Sequence, residues 1–199
     1  GGDGDGFAIG MGHYMHALRR NVDITYIVMD NMIYGLTKGQ TSPTSEPGFK
    51  TKSTPAGNVE KSVNQLQLAI ASGCGFVAAG FSANQKQLVE IIKRAILHPG
   101  FSLVSTYSPC VTFNRVNTFD FFKQHLVNLD EDPTYDRHDR FAAMKKLMET
   151  EELVTGIIYE DPASVPYEDR VAGYRKEGIV NQDWTMDPAV WEQLVSQYR

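Results

Sequence analysis

The residues best placed to do chemistry lie at the start of the sequence. Asp3 stands in the run Gly1-Gly2-Asp3-Gly4-Asp5-Gly6, directly ahead of a segment of helical pattern, and Asn31 follows the next apolar strand. Glycine lets the backbone approach a phosphate closely, and a helix N-terminus adds partial positive charge. A carboxylate beside a phosphate repels it unless a cation lies between them. Asp3 and the side-chain oxygen of Asn31 form a hard-oxygen pair suited to Mg²⁺, which takes one or two protein oxygens together with substrate phosphates. The pairing therefore asks for a diphosphate–Mg²⁺ ligand. One strand-to-strand crossover separates the two loops, so both should emerge at the same edge of a sheet, where ligands of open parallel α/β sheets sit. A third loop predicted at that edge is Ser108-Pro109-Cys110.

These loops need a scaffold. Residues 7–20 read as a helix with Phe7, Ile9, Met11, Met15 and Leu18 on its apolar face. Arg19 and Arg20 suit its C-terminal end, where the macrodipole favours cations. Residues 24–29 (ITYIVM) have the pattern of a strand buried on both faces of a parallel sheet, ended by Asp30 and Asn31. Residues 41–58 are dense in Ser, Thr, Pro and Gly and read as a long loop, a feature that is often functional. Helices at 61–72 and 85–97 then alternate with strands at 76–79 and 101–107; Asn84 caps the second helix, and Pro99 and Gly100 stop it. The alternation predicts an α/β domain with a parallel sheet over residues 1–113. Residues 114–199 read as a helical and irregular extension that packs on the domain or on a partner subunit. Within it, helices are expected at 114–126, 138–151 and 187–197, with a short strand at 156–159. A Gly-rich phosphate loop is normally fed by a strand. None precedes Gly1, so we read the sequence as the C-terminal part of a longer polypeptide, with part of the site upstream.

Composition narrows the function classes. Of 199 residues 42% are hydrophobic and 22% charged, an ordinary globular balance. Nineteen basic residues against 24 acidic ones give a net charge of −5, which argues against nucleic-acid binding. No apolar run is long enough to predict a membrane span, and no signal peptide is evident. Two cysteines, Cys74 and Cys110, make no disulfide framework and suit a reducing, cytoplasmic setting.

Gly-Asp-Gly followed after one crossover by Asn, often as Asn-Asn, is the thiamine diphosphate binding motif. Here it reads Gly2-Asp3-Gly4 and then Asp30-Asn31, departing at the first Asn only. The blocks GHYMHALRRNVDITYIV, NMIYGLTKGQTSPT, KTKSTPAGN and YSPCVTFN resemble the β subunit of the 2-oxoacid:ferredoxin oxidoreductases, over residues 1 to about 159. The resemblance implies a parallel-sheet thiamine diphosphate-binding fold, incomplete at its N-terminus. It implies that Asp3, the Asn31 side chain and the Ile33 backbone carbonyl hold Mg²⁺. Gly2, Gly4, Asp5, Tyr34, Gly35, Leu36 and Thr37 would line the diphosphate and thiazolium side. Leu36 and Lys38 would border the 2-oxoacid, the Lys38 ammonium meeting its carboxylate as a point charge. Cys110 matches the fourth ligand of a [4Fe–4S] cluster whose other three cysteines precede the Gly-Asp-Gly motif. Four thiolates are needed, so this chain as given should lack the cluster. The implied reaction is oxidative decarboxylation of a 2-oxoacid, 2-oxoglutarate before pyruvate, to acyl-CoA and CO₂. Electrons pass singly to ferredoxin. The implied partners are an α subunit, which bears the activating Glu, ferredoxin and coenzyme A.

Two other readings compete. A non-redox thiamine diphosphate-dependent decarboxylase or synthase explains Gly-Asp-Gly and Asn31, but not YGLTKGQTSPT or the Ser-Pro-Cys turn. An inactive assembly fragment, needing its missing N-terminus and α partner, is the reading from another class. Among single residues, His13 and His16 lack a third ligand and read as packing or hydrogen-bonding groups near the site. Cys74 and Met11, Met15, Met144 and Met148 read as core, and Asp130–Asp132 as a solvated turn.

Overall fold

The computed structural model describes residues 1–173, 177–183 and 185–198. Five strands form one sheet: β1 (Thr25–Asp30), β2 (Phe76–Phe81), β3 (Ser102–Tyr107), β4 (Val127–Asn128) and β5 (Val154–Glu160), in the order β1-β3-β2-β5-β4. β1, β3 and β2 run parallel, as the alternation of helix and strand predicts. β5 runs antiparallel to β2, so the sheet is mixed rather than all parallel. Residues 114–160 thus add two strands to the sheet of residues 1–113: β5, which contains the strand expected at 156–159, and β4, which is not expected from the sequence.

Strand side chains alternate between two covered faces, as a period of two requires. Phe76, Ala78, Val104 and Ile157 pack against Ile91 and Ala95 of α3 (Gln85–Leu97). Val77, Ala79, Leu103 and Ile158 face the larger cluster. That cluster is built from Leu18 of α1 (Met11–Arg20), Leu66 and Ile70 of α2 (Gln65–Ala71), Phe122 of α4 (Phe119–His125) and Leu147 of α5 (Arg140–Glu149). Double coverage explains why β2 and β3 are buried along their whole length. β1 departs from the expected double burial: it lies at the sheet edge, and Met29 is 49% exposed. On its outer side it pairs in parallel with Gly2, through Met29.

Several helix ends move for local reasons. Residues 7–20 divide into a wide turn, Asp5–Ile9, closed by Gly10 N donating to Asp5 O, and then α1; Ile9 points to solvent instead of joining the apolar face. Such wide turns are frequent at functional sites. The helix expected from 114 begins only at Phe119. The Asn114 side chain accepts from Val116 N and Asn117 N, a local turn that competes with helix, and Thr118 caps the helix by accepting from Phe121 N. Asp139 likewise caps α5 through Phe141 N and Ala142 N.

Two short helices, α6 (Tyr167–Arg170) and α7 (Pro188–Ser196), follow; the tail after residue 160 lies partly outside the described residues. Met11, Met15 and Met144 pack on the core as expected, whereas Met148 is exposed, as are His13 and His16. The two histidines are therefore solvent-facing rather than packing groups. No helix among the described residues is long and apolar enough to cross a membrane.

Candidate functional site

Pairing with β1 sets the position of the glycine-rich loop. Gly1 N donates to Ile27 O at 3.0 Å, and Met29 N donates to Gly1 O at 2.9 Å. Asp3 is thereby held beside the C-terminal end of β1. It is 2% exposed; its Oδ2 accepts from Thr44 Oγ1 at 2.8 Å and its Oδ1 from Asn31 N at 3.4 Å.

Asp30, the last residue of β1, is fully buried next to it. Its Oδ1 is 3.0 Å from Thr44 Oγ1 and accepts from Met32 N at 3.1 Å, while its Oδ2 accepts from Gln65 Nε2 at 2.9 Å. Burial first, and then the charge of Asp3, push its carboxyl up to about 7. Neither carboxyl has a Lys, Arg or His ion-pair partner among the described residues. Buried charge of one sign is costly unless compensated. A proton held on Asp30 relieves that cost in part, and a cation bound beside the pair would relieve it further.

The next residues offer the other oxygens. Asn31 Oδ1 accepts from Ile33 N at 3.1 Å, closing a turn around Met32, whose φ is 57°. Asn114 Nδ2 holds the Asn31 carbonyl at 3.2 Å. A carboxylate, an amide oxygen and a backbone carbonyl are the hard donors that Mg²⁺ takes. The donor set of Asp3, Asn31 and Ile33 therefore fits that ion.

Residues 34–40 form a closed loop, with Tyr34 N donating to Gln40 O at 2.9 Å and Gly39 N to Tyr34 O at 2.8 Å. Tyr34 reaches back, its hydroxyl donating to Gly4 O at 3.3 Å, and a Cβ on Gly4 would overlap its ring. Gly2, Asp3, Gly4, Asn31, Ile33 and Tyr34 are thus brought together. Leu36, Thr37 and Lys38 stand at the exposed tip of the loop, Leu36 at 98%. Asp5 is also exposed, and its Oδ2 accepts from Gly2 N at 3.3 Å. Cys110 is partly exposed beside Gly35, whose added Cβ would stand 3.7 Å from its Sγ. Cys74 sits in the core as expected, and burial pushes its thiol up to about 12.

Sequence reasoning missed Asp30, Thr44 and Gln65. Asp30 reads in sequence as a strand terminator, and Thr44 lies in a hydroxyl-rich run read only as loop. A cavity of about 500 Å³ adjoins them, lined by Asp30, Thr44, Lys61, Gln65, Tyr107 and Glu152 among others. Burial pushes the Glu152 carboxyl up to about 7.

Residues 1–106 match the family described as "Thiamine pyrophosphate enzyme, C-terminal TPP binding domain". Residues 110–176 match the family of the C-terminal region of the pyruvate ferredoxin oxidoreductase beta subunit. The chain is 42% identical over 182 residues to the 2-oxoacid:ferredoxin oxidoreductase subunit beta of Saccharolobus solfataricus, covering 86% of this chain and 60% of that one. It is 46% identical over 140 residues to the 2-oxoglutarate synthase subunit KorB of Archaeoglobus fulgidus, covering 65% and 52%. Among solved structures, it superposes with a TM-score of 0.80 and 42% identity on a 2-oxoglutarate:ferredoxin oxidoreductase from Magnetococcus marinus with 2-oxoglutarate, coenzyme A and succinyl-CoA bound. That match covers 85% of this chain and 58% of the other. The chain spans about 60% of the length of the first of these curated relatives.

Proposed function

This chain belongs to the thiamine pyrophosphate enzyme family, in its branch of 2-oxoacid:ferredoxin oxidoreductase β subunits, and from that premise we propose that its glycine-rich loop and β1 end bind thiamine diphosphate through Mg²⁺. The carrying observation is the buried Asp3–Asp30 pair with no protein cation beside it among the described residues. Asp3, Asn31 Oδ1 and the Ile33 carbonyl hold the metal. Gly2, Gly4, Asp5, Tyr34, Gly35, Leu36 and Thr37 line the diphosphate and thiazolium side, and Gly4 leaves room for the Tyr34 ring. When bound, thiamine diphosphate supplies the nucleophilic carbon and the electron sink for decarboxylation.

The reaction we assign to the assembled protein is oxidative decarboxylation of a 2-oxoacid to acyl-CoA and CO₂, with electrons passing to ferredoxin. The KorB relatives and the Magnetococcus marinus neighbour support 2-oxoglutarate as substrate, with pyruvate the runner-up. We assign Leu36 and Lys38, exposed at the loop tip, to the substrate side, where the Lys38 ammonium would complement a carboxylate. The site is completed by an α subunit. The match of residues 110–176 to a ferredoxin oxidoreductase region favours this reading over a non-redox decarboxylase or synthase. One open thiol, Cys110, does not by itself hold a [4Fe–4S] cluster, which takes four thiolates. Cys110 is offered as one such ligand beside the cofactor loop. Two free cysteines suit a cytoplasmic location.

Calorimetric titration of thiamine diphosphate into the assembled protein, with and without Mg²⁺, tests the assignment. Binding should require Mg²⁺ and be lost with Asp3→Ala and Asn31→Ala. Unchanged binding in both variants would remove the basis of the proposal.

A further inference from the structure

The run Thr41-Ser42-Pro43-Thr44-Ser45 lies in the long loop after the site turn, and Ser42, Thr44 and Ser45 are all buried. Buried hydroxyls are costly unless bonded, and each of these is. Ser42 N donates to Ser45 Oγ at 2.8 Å, and Ser45 Oγ donates to Met32 O at 2.6 Å. The Ser45 carbonyl accepts from Asn58 Nδ2 and from Ser62 Oγ, both at 3.0 Å, which anchors the run to the rest of the loop. Ser45 therefore pins the Asn31–Ile33 turn at its middle residue.

Thr44 does something different. Its Oγ1 has three oxygen neighbours: Asp3 Oδ2 at 2.8 Å, Asp30 Oδ1 at 3.0 Å and Ser42 Oγ at 3.2 Å. A hydroxyl has one proton. It stands in donor range of both carboxyls, and the shorter of the two contacts is the one to Asp3 Oδ2. That bond engages Oδ2 and leaves Oδ1, whose protein donor is the longer 3.4 Å contact from Asn31 N, as the carboxylate oxygen open to a cation.

We propose that Thr44 is the positioning residue of the metal site: its hydroxyl fixes the rotamer of Asp3 so that one oxygen is presented to the cation, and Ser45 fixes the turn that presents Asn31 and Ile33. The proposal rests on the reading of Asp3 and Asn31 as metal ligands. A partner held by hydrogen bond behind a metal ligand is worth about 10- to 100-fold in metal affinity.

The test is a Mn²⁺ titration of the assembled protein with saturating thiamine diphosphate, followed by the loss of the free-ion electron paramagnetic resonance signal. Thr44→Val, which keeps the shape and removes the hydroxyl, should raise the half-saturating Mn²⁺ concentration about 10- to 100-fold. Thr44→Ser, which restores the donor, should return it close to the native value, a rescue that a purely space-filling role would not give. Asp3→Ala should abolish binding. Native Mn²⁺ affinity in Thr44→Val, with binding lost in Asp3→Ala, overturns the role of Thr44 and leaves the metal site standing. Native affinity in Asp3→Ala overturns both. If Thr44→Val does not fold, Thr44→Ala carries the same comparison with Thr44→Ser.

Discussion

Glu152 offers a stability test that is independent of the cofactor. It follows α5 at the second of two consecutive left-handed residues, with φ of 63°, and lies against the core at 9% exposure. Its Oε1 accepts from Gln67 N at 3.0 Å, and no cation pairs with it among the described residues. Burial lifts its carboxyl from 4.5 to about 7 despite that hydrogen bond. Below pH 4.5 both the folded and unfolded chains carry the proton, and Glu152 costs nothing. Between 4.5 and about 7 the unfolded chain releases it and the folded chain keeps it, so stability falls as pH rises. Above that window the whole cost is present, about 3 kcal/mol at about 1.4 kcal/mol per pH unit.

Glu152→Gln keeps an oxygen for Gln67 N and removes the charge. The variant should melt about 6–12 °C above the parent at pH 8, since 1 kcal/mol moves the midpoint about 2–4 °C in a domain of this size. At pH 5 the gain should shrink to about a quarter of that. Asp30, which is also raised, is common to both proteins and cancels in the difference. Thermal unfolding of the assembled protein followed by circular dichroism across pH 5–8 measures it. A gain of the same size at both ends of the range would refute a buried, ionising Glu152.

Two further outcomes can be checked directly. Gly4→Ala should weaken thiamine diphosphate binding by displacing the Tyr34 ring, with far-ultraviolet circular dichroism unchanged, because the added Cβ meets a side chain at the loop rather than the sheet; calorimetric titration reads it. Native-state alkylation of cluster-free protein followed by peptide mass spectrometry should label Cys110 and spare Cys74, because Cys110 is partly exposed while Cys74 is buried with its thiol pushed up to about 12.

Much of the scaffold is legible in the sequence because its signals are local. Asn84 ahead of an amphipathic run, with Pro99 and Gly100 behind it, marks α3 to the residue, and the apolar runs mark β2 and β3 within a residue or two. Helix starts are less legible where a side chain competes with the backbone, as Asn114 does before Thr118. The burial of β1 is not legible, because apolar composition says nothing about whether a strand is central or at an edge.

The types and spacing of residues alone determined the α/β character, the glycine-rich loop ahead of a helix, and the juxtaposition of Asp3 with Asn31. A single crossover in a parallel sheet leaves two successive loops little choice of edge. Tertiary structure alone decided that Asp30 and Asp3 share one hydroxyl, that Gln65 supports the pair from α2, that β5 enters the sheet antiparallel, and that Leu36–Lys38 stand clear of the carboxylates. Burial, charge compensation and the destination of a single proton are properties of neighbours in space. Here those neighbours come from four separate stretches of chain that no local pattern connects.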